Sequence, residues 1–293
     1  MKSGTIADDP ARNSEEQIVT DSGFFWRERG GVKVLVCRAL DDAGFMNGFS
    51  TRLGGVSPFP QNDLNLAGFN EDTAENIYEN RRRFLSVFGG DMRLATVWQM
   101  HGDAIKTLRT LEDIGNSEDH ADALVADLTG VLVGVKTADC VPVLIGDPVT
   151  GAFAAIHAGW RGTAQSIVSK TVARMTTLFG SVPIDMIAAI GPAAGCKNYE
   201  IGDDVIDAFT EFSDREKYFA PTREGHALVD LHLANSDQLV AAGVRDVNIR
   251  TAPFCTMERP DLFFSYRREK RKYGKTGRLL SVIGRHGPET QPL

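Results

Sequence analysis

Two stretches of the sequence carry residues that could ligate a metal or act as a nucleophile. Cys140 lies within the apolar run 131–145, and His157 follows a second apolar run, 152–156. Turn-forming residues at 147–151 separate the runs, so we predict two buried strands joined by a tight turn. Pairing of these strands would bring Cys140 and His157 together, although seventeen positions (157 − 140) separate them in the sequence.

A thiolate beside an imidazole suits either a zinc ion or a Cys–His nucleophile. His101, which follows the short apolar segment 94–97, becomes a third candidate if the chain folds it next to the other two. Two imidazoles and one thiolate would leave the fourth position of a tetrahedral zinc open, as catalytic zinc sites require. We therefore favour a metal site formed by His101, Cys140 and His157, with a metal-free Cys140–His157 nucleophile as the alternative.

Composition limits the other function classes. The 293 residues are 42% hydrophobic and 24% charged, with a net charge of −7, which is typical of a soluble globular protein. The negative charge argues against nonspecific binding to nucleic acid or to an anionic membrane. The sequence shows no apolar run of membrane-spanning length and no apolar signal segment. We expect a cytoplasmic protein, with a monomer as a plausible oligomeric state.

The cysteine and histidine counts bear on redox chemistry. The four cysteines are widely scattered, which argues against a disulfide framework. A multicopper oxidase centre needs many histidines, and the chain contains only six. Copper therefore remains only an alternative or adventitious metal at the three predicted ligands.

The pattern of polar and apolar residues predicts one layered domain. We predict a poorly ordered tail at 1–18, a single domain at 19–285 and a short C-terminal tail at 286–293. Spacing and turn residues predict helices at 71–88, 163–179, 203–212 and 229–242, and strands at 32–37, 184–190, 247–250 and 279–283. This mixture indicates an α/β domain, and it excludes neither a doubly wound sheet nor a barrel.

Six motifs, taken in order, resemble the YfiH or laccase-domain family. They are STRLGGVS (50–57), QMHG (99–102), TADCVP (137–142), HAGWRG (157–162), IGP (190–192) and FSYRR (264–268). The resemblance covers residues 23–283 and implies a four-layer α/β/β/α sandwich with mixed sheets, similar to the catalytic domain of cytotoxic necrotising factor. It also implies a metal site of two histidines and one cysteine, which match His101, Cys140 and His157. The basic segment 269–273 departs from the family pattern by lengthening a connection.

The resemblance also implies a reaction, because the family is associated with zinc-dependent purine nucleoside phosphorylase activity. Adenosine, inosine, guanosine and methylthioadenosine are the expected substrates. Phosphorolysis must hold phosphate beside C1′ of the ribose while an oxocarbenium-like transition state forms. In this context Arg52, with Gly54 and Gly55, becomes the expected phosphate and substrate site. Arg161 would either bind substrate or form a structural salt bridge.

Adenosine deamination is a second expected activity, and it needs an activated water and a proton-transferring group. Asp139, next to Cys140, could transfer protons, but we favour a role in orienting His157. Three further alternatives are a copper-dependent polyphenol oxidoreductase, a metal-free Cys–His hydrolase, and a protein that matures cell-wall precursors. A fourth protein ligand, such as Cys255, would indicate a structural rather than a catalytic metal.

Overall fold

The computed structural model describes residues 10–58, 63–67, 72–89, 92–115, 119–212 and 214–287, and only the backbone of 10–13. The helices are α1 (Pro10–Asp21), α2 (Arg38–Asp42), α3 (Ala74–Ser86), α4 (Trp160–Ala164), α5 (Ile167–Phe179), α6 (Asp203–Asp207), α7 (Leu231–Ala241) and α8 (Tyr266–Tyr273). The strands are β1 (Phe24–Arg29), β2 (Val32–Cys37), β3 (Met46–Ser50), β4 (Arg93–Ala95), β5 (Ile105–Leu108), β6 (Ala123–Ala126), β7 (Val131–Thr137), β8 (Val141–Gly146), β9 (Phe153–Ala158), β10 (Ile187–Ile190), β11 (Glu200–Gly202), β12 (Phe219–Pro221), β13 (His226–Val229), β14 (Ile249–Thr251) and β15 (Leu279–Arg285). The predicted helices are confirmed as α3, α5, α6 and α7, and the predicted strands as β2, β10, β14 and β15, with some ends displaced.

The strands form two large mixed sheets and one small sheet. The first has the order β1-β2-β3-β15-β7-β4, and the second has the order β14-β10-β8-β9-β6-β5. Each contains parallel as well as antiparallel pairs, since β4 runs parallel to β7 and β5 runs parallel to β6. Strands β8 and β9 are buried at every residue, as expected for strands covered on both faces.

The two large sheets pack face to face between helices. Phe49 and Val133 of the first sheet share a core with Leu144 and Phe153 of the second. On the outer face of the second sheet, residues of β8 and β9 pack with α5 and α7. On the outer face of the first sheet, residues of β2, β7 and β15 pack with Phe84 of α3. The result is a four-layer α/β/β/α sandwich with mixed sheets, as the resemblance implied.

The apolar run 131–145 is not one strand, which corrects the sequence prediction. It is divided between β7 in the first sheet and β8 in the second, and the chain crosses between the sheets at residues 138–140. Asp139 adopts φ +91° at this crossing, in the left-handed region. The predicted pairing of the following strands is confirmed, because β8 and β9 are antiparallel with Pro142 opposite His157.

The N-terminal segment also differs from the prediction. Helix α1 begins at Pro10, so the expectation of a poorly ordered tail is wrong for residues 10–18, whereas residues 1–9 lie outside the described part. Val19 is buried in the core between the sheets, and Glu15 pairs with Arg259 at 2.7 Å. The partners in these contacts are distant in the sequence, so the polar composition of the segment does not predict them.

None of the helices in the described ranges combines the length and hydrophobicity needed to cross a membrane. Most of the predicted C-terminal tail, from residue 288 onward, lies outside those ranges.

Gly54 and Gly55 lie where backbone segments meet closely. Gly54 has φ +86°, and a Cβ there would lie 2.4 Å from the carbonyl oxygen of Gly31. A Cβ on Gly55 would lie 2.0 Å from the carbonyl oxygen of Asp63. Packing therefore requires glycine at both positions, which accounts for them without a substrate; their predicted role in substrate binding stays a prediction.

We predict that Gly55→Ala lowers the free energy of unfolding by about 2 kcal/mol or more, because the backbone must move to admit the methyl group. Urea denaturation measures this change. Gly115→Ala is the control, since a Cβ there meets no described atom within 4 Å. A Gly55→Ala protein of unchanged stability with weakened nucleoside binding would instead support a role of Gly55 in substrate binding.

Candidate metal centre

The structure brings His101, Cys140 and His157 together. His101 lies in the loop after β4, Cys140 directly precedes β8, and His157 lies in β9. Their ligand atoms all lie within 4.8 Å of one another, and burial increases from exposed His101 to half-buried Cys140 to buried His157. The two imidazole rings are nearly perpendicular, with centroids 4.8 Å apart. Two imidazole nitrogens and one sulfur are therefore close to one another, although they are not yet at metal-ligand spacing.

This donor set fits a metal ion. In a tetrahedral zinc site with these ligands, the donor atoms lie roughly 3.3–3.7 Å apart, so modest side-chain rotation would close the cluster. Gly159 leaves space for this rotation, because a Cβ at position 159 would lie 3.2 Å from the Cys140 Sγ. Among the described residues, no further His, Cys, Asp or Glu joins the group. Cys255, considered as a fourth ligand, instead accepts a hydrogen bond from the Gly195 amide at 3.2 Å.

Asp122 fixes two of the three ligands. Its Oδ1 lies 2.8 Å from the Nδ1 of His157, which leaves the other ring nitrogen for the metal. The same buried carboxylate accepts backbone N–H groups from Met100 (3.1 Å), His101 (2.9 Å) and Gly102 (2.8 Å). His101 has φ +60°, and these bonds hold the loop in that conformation. One carboxylate therefore orients the His157 ring and holds the backbone that carries His101.

The orienting role expected for Asp139 belongs to Asp122. Asp139 is buried beside Cys140, but its oxygens accept hydrogen bonds from the Thr256 hydroxyl and the Arg267 amide, each at 2.7 Å. Burial raises the pKa of Asp139 despite these bonds. Asp139 thus connects the crossing between the sheets to the start of α8. The sequence signal for Asp122 was slight, namely a single acidic residue at the start of the apolar run 122–125.

Charge coupling within the cluster favours an ionised pair when no metal is bound. Burial disfavours the Cys140 thiolate, but His157 and His101 more than offset it and lower the pKa of Cys140 to about 6. Burial likewise disfavours the imidazolium of His157, yet Cys140 and Asp122 raise its pKa to about 9. The thiolate form needed for metal binding is therefore favoured at neutral pH.

Arg52 does not reach this cluster, which corrects its assignment as the phosphate ligand. Its guanidinium is buried and pairs with Asp63 at 2.8 Å and with Glu269 at 2.7 Å. It also donates to the carbonyl oxygen of Pro260 at 2.9 Å and lies 4.5 Å from the ring centroid of Phe264. Two carboxylates already occupy the planar fork that phosphate would need. Arg52 therefore belongs to the packing around α8.

The three candidate ligands open onto a cavity of about 610 Å³. Its wall combines aromatic with cationic side chains, namely Trp98, Trp160, Tyr199, Tyr266, Lys136, Arg161, Arg267 and Arg278. Arg161 is exposed, with its guanidinium carbon 4.0 Å from the Trp160 ring centroid. Within the described ranges it forms no ion pair, so the structure gives no support to the salt-bridge alternative for Arg161. Its predicted role in substrate binding remains open.

Sequence analysis missed the cationic wall contributed by the C-terminal region. Arg267 lies with its guanidinium carbon 4.9 Å from the Tyr199 ring centroid and donates to the carbonyl oxygen of Glu200 at 3.1 Å. Arg278 lies on the segment that leads into β15 and also lines the cavity. Arg267 occurred in one of the six motifs, but the motif gave no indication of which site its side chain would reach.

We predict that Asp122→Asn lowers zinc affinity by about 10- to 100-fold, because an amide cannot replace all the acceptors that hold His157 and the His101 loop. Competition with a chromophoric chelator measures the affinity. Asp147→Asn is the matched control, since Asp147 is equally buried but accepts from Val149 and Thr150 at a distant turn. Equal zinc affinity in the two variants would remove Asp122 from the metal site.

The amino-acid sequence is similar to those of known proteins. The family model described as multi-copper polyphenol oxidoreductase laccase matches residues 46–286. Purine nucleoside phosphorylase YlmD of Geobacillus stearothermophilus is 37% identical over 262 residues, covering 86% of this chain and 94% of that protein. Purine nucleoside phosphorylase YfiH of Escherichia coli is 33% identical over 236 residues, covering 80% of this chain and 91% of that protein.

Solved structures agree with the sequence comparison. The crystal structure of Geobacillus stearothermophilus YlmD superposes with a TM-score of 0.83 and 34% identity, covering 90% of this chain and 99% of that chain. The crystal structure of a Bacillus licheniformis YfiH protein gives a TM-score of 0.82 and 31% identity, covering 89% and 98%. The chain therefore belongs to the laccase-like family that includes the YfiH and YlmD proteins.

Proposed function

We propose that the protein is a zinc-dependent purine nucleoside phosphorylase. The observation that carries this proposal is one cavity in which a three-ligand metal cluster, aromatic faces and several guanidinium groups converge. The names of the related YlmD and YfiH proteins support the same activity. The proposed substrates are adenosine, inosine, guanosine and methylthioadenosine, together with inorganic phosphate.

The cationic wall suits the phosphate half of the reaction. In phosphorolysis a phosphate oxygen bonds to C1′ while the bond from C1′ to the base breaks, and the base takes the electron pair. Arg161, Arg267 and Arg278 would hold the dianion beside C1′, where it also stabilises the developing oxocarbenium charge. In a partly enclosed cavity such charge pairs are stronger than they are in bulk water.

The aromatic wall and the metal ligands suit the nucleoside half. Trp98 and Tyr266 are exposed side chains that line the cavity, and they offer aromatic surface against which a purine can stack. His101, Cys140 and His157 would hold zinc, which when bound supplies a Lewis acid for a substrate atom. Asp122 would orient the His157 ring and hold the backbone that carries His101.

The site gives less support to the other activities. The described histidines other than His101 and His157 lie outside the ligand cluster, so a centre with several coppers lacks ligands here. Both carboxylate oxygens of Asp139 already accept hydrogen bonds from Thr256 and Arg267, which disfavours it as the proton carrier in adenosine deamination. The lowered pKa of Cys140 beside His157 keeps a metal-free Cys–His hydrolase as the second candidate.

We predict that zinc-loaded protein releases free base from purine nucleosides only when phosphate is present, with ribose 1-phosphate as the second product from inosine. Chromatography of a nucleoside panel, with and without phosphate, measures both products. Chelation should abolish this activity, whereas a Cys–His hydrolase would survive it. Base release that is independent of phosphate and of metal, or phenol oxidation without any base release, would contradict the proposal.

We also expect Arg267→Ala to raise KM for phosphate by about tenfold, with unchanged zinc content, because one charge-assisted hydrogen bond to the dianion is lost. Arg268→Ala is the control on the same helix, since Arg268 donates to the carbonyl oxygen of Met257 and does not line the cavity. Equal effects of the two substitutions would show that the overall charge of α8, rather than a cavity residue, determines phosphate affinity.

A further inference from the structure

Helix α8 has one buried side chain, and further contacts with the rest of the protein come from its exposed residues Arg267 and Arg268. Among its eight residues only Glu269 is buried, and the other seven are exposed. Five of these seven are basic, namely Arg267, Arg268, Lys270, Arg271 and Lys272. Like charges four positions apart repel each other, and a helix this short is not stable alone. The buried contacts of Glu269 are therefore a main constraint on the position of α8, beside the hydrogen bond from the Arg267 amide to Asp139.

Those contacts form a buried ionic network. Glu269 Oε1 accepts from Arg52 Nη1 at 2.7 Å, and Oε2 accepts from the hydroxyl of Thr276. The other edge of the Arg52 guanidinium donates to both carboxylate oxygens of Asp63, at 3.1 and 2.8 Å. All four side chains are buried, so water cannot easily replace a lost partner. The network gives the Glu269 carboxylate one defined position.

The same carboxylate lies between two parts of the cavity wall. Tyr266 and Arg267 line the cavity and precede Glu269 by three and two residues. Arg278 also lines the cavity and follows Thr276 by two residues. Glu269 thus joins the start of α8 to the segment that leads into β15, and both carry a guanidinium group to the cavity.

We propose that Arg52 and Glu269 are positioning residues that fix Arg267 and Arg278 for binding a phosphate dianion. This inference rests on the proposed phosphorylase function. Neither residue lines the cavity, so both act through the backbone that they hold. Their pairing also explains why a helix with five exposed basic residues remains at the cavity edge.

The test compares Glu269→Gln and Glu269→Ala with wild-type, zinc-loaded protein. Gln keeps the size and one acceptor but removes the charge, so KM for phosphate should rise about tenfold, and further for Ala. The zinc content should change less than about twofold, because the candidate metal ligands do not contact this network. Hydrogen exchange of the α8 amides should accelerate while that of the β8 and β9 amides is unchanged.

Glu79→Gln is the control, because Glu79 also forms arginine ion pairs, with Arg82 and Arg83, but on α3 and away from the cavity. It should leave KM for phosphate and exchange in α8 unchanged. Lower thermal stability in the Glu269 variants with unchanged KM for phosphate and unchanged exchange in α8 would overturn the inference.

Equilibrium dialysis of inorganic phosphate separates this inference from the proposed function, since it uses no nucleoside. Weaker phosphate binding by Glu269→Gln than by wild type supports the positioning role even if no nucleoside is cleaved. Equal binding by wild type and both Glu269 variants, or no binding by wild type, would overturn it.

Discussion

The buried carboxylate of Asp122 is the constraint on which the site depends. A carboxylate without water is strongly disfavoured unless its oxygens are fully hydrogen-bonded, and Asp122 meets this condition with three backbone amides and one imidazole. Because these partners are the backbone of the His101 loop and the ring of His157, neither can shift without breaking a bond to the same charge. The backbone that carries the candidate ligands is therefore ordered without a metal, so little of the free energy of metal binding would be needed to fold the loop.

A second set of buried charges defines the opposite wall. Asp139 connects the crossing between the two sheets to the start of α8, and Arg52 with Glu269 holds the helix from the other side. The candidate metal ligands come from the loop after β4, from the crossing before β8 and from β9, whereas the cationic side chains Arg267 and Arg278 come from the C-terminal region. The cavity thus lies where the two large sheets and the C-terminal segment meet, and buried polar networks set its dimensions.

The residue pattern predicted one part of this arrangement, whereas the four-layer sandwich was implied only by the family resemblance. Alternating apolar runs and turn residues predicted the pairing of β8 with β9, and hence the proximity of Cys140 to His157. The functions of Arg52, Asp122 and Asp139 could not be predicted, because each depends on partners that are distant in the sequence. Arg52 and Glu269 are 217 positions apart. A Gly-rich segment with an arginine looks the same in the sequence whether the arginine binds a phosphate or pairs with buried carboxylates. Side-chain hydrogen bonds over such distances leave no periodic signal.

The proposed zinc site has three protein ligands, His101, Cys140 and His157, and one open position. X-ray absorption at the zinc edge of stoichiometrically loaded protein measures this coordination shell. We expect one sulfur at about 2.3 Å, two imidazole nitrogens at about 2.0 Å, and one light atom that exchanges with added ligands. A second sulfur in the coordination shell, or a shell without sulfur, would contradict it.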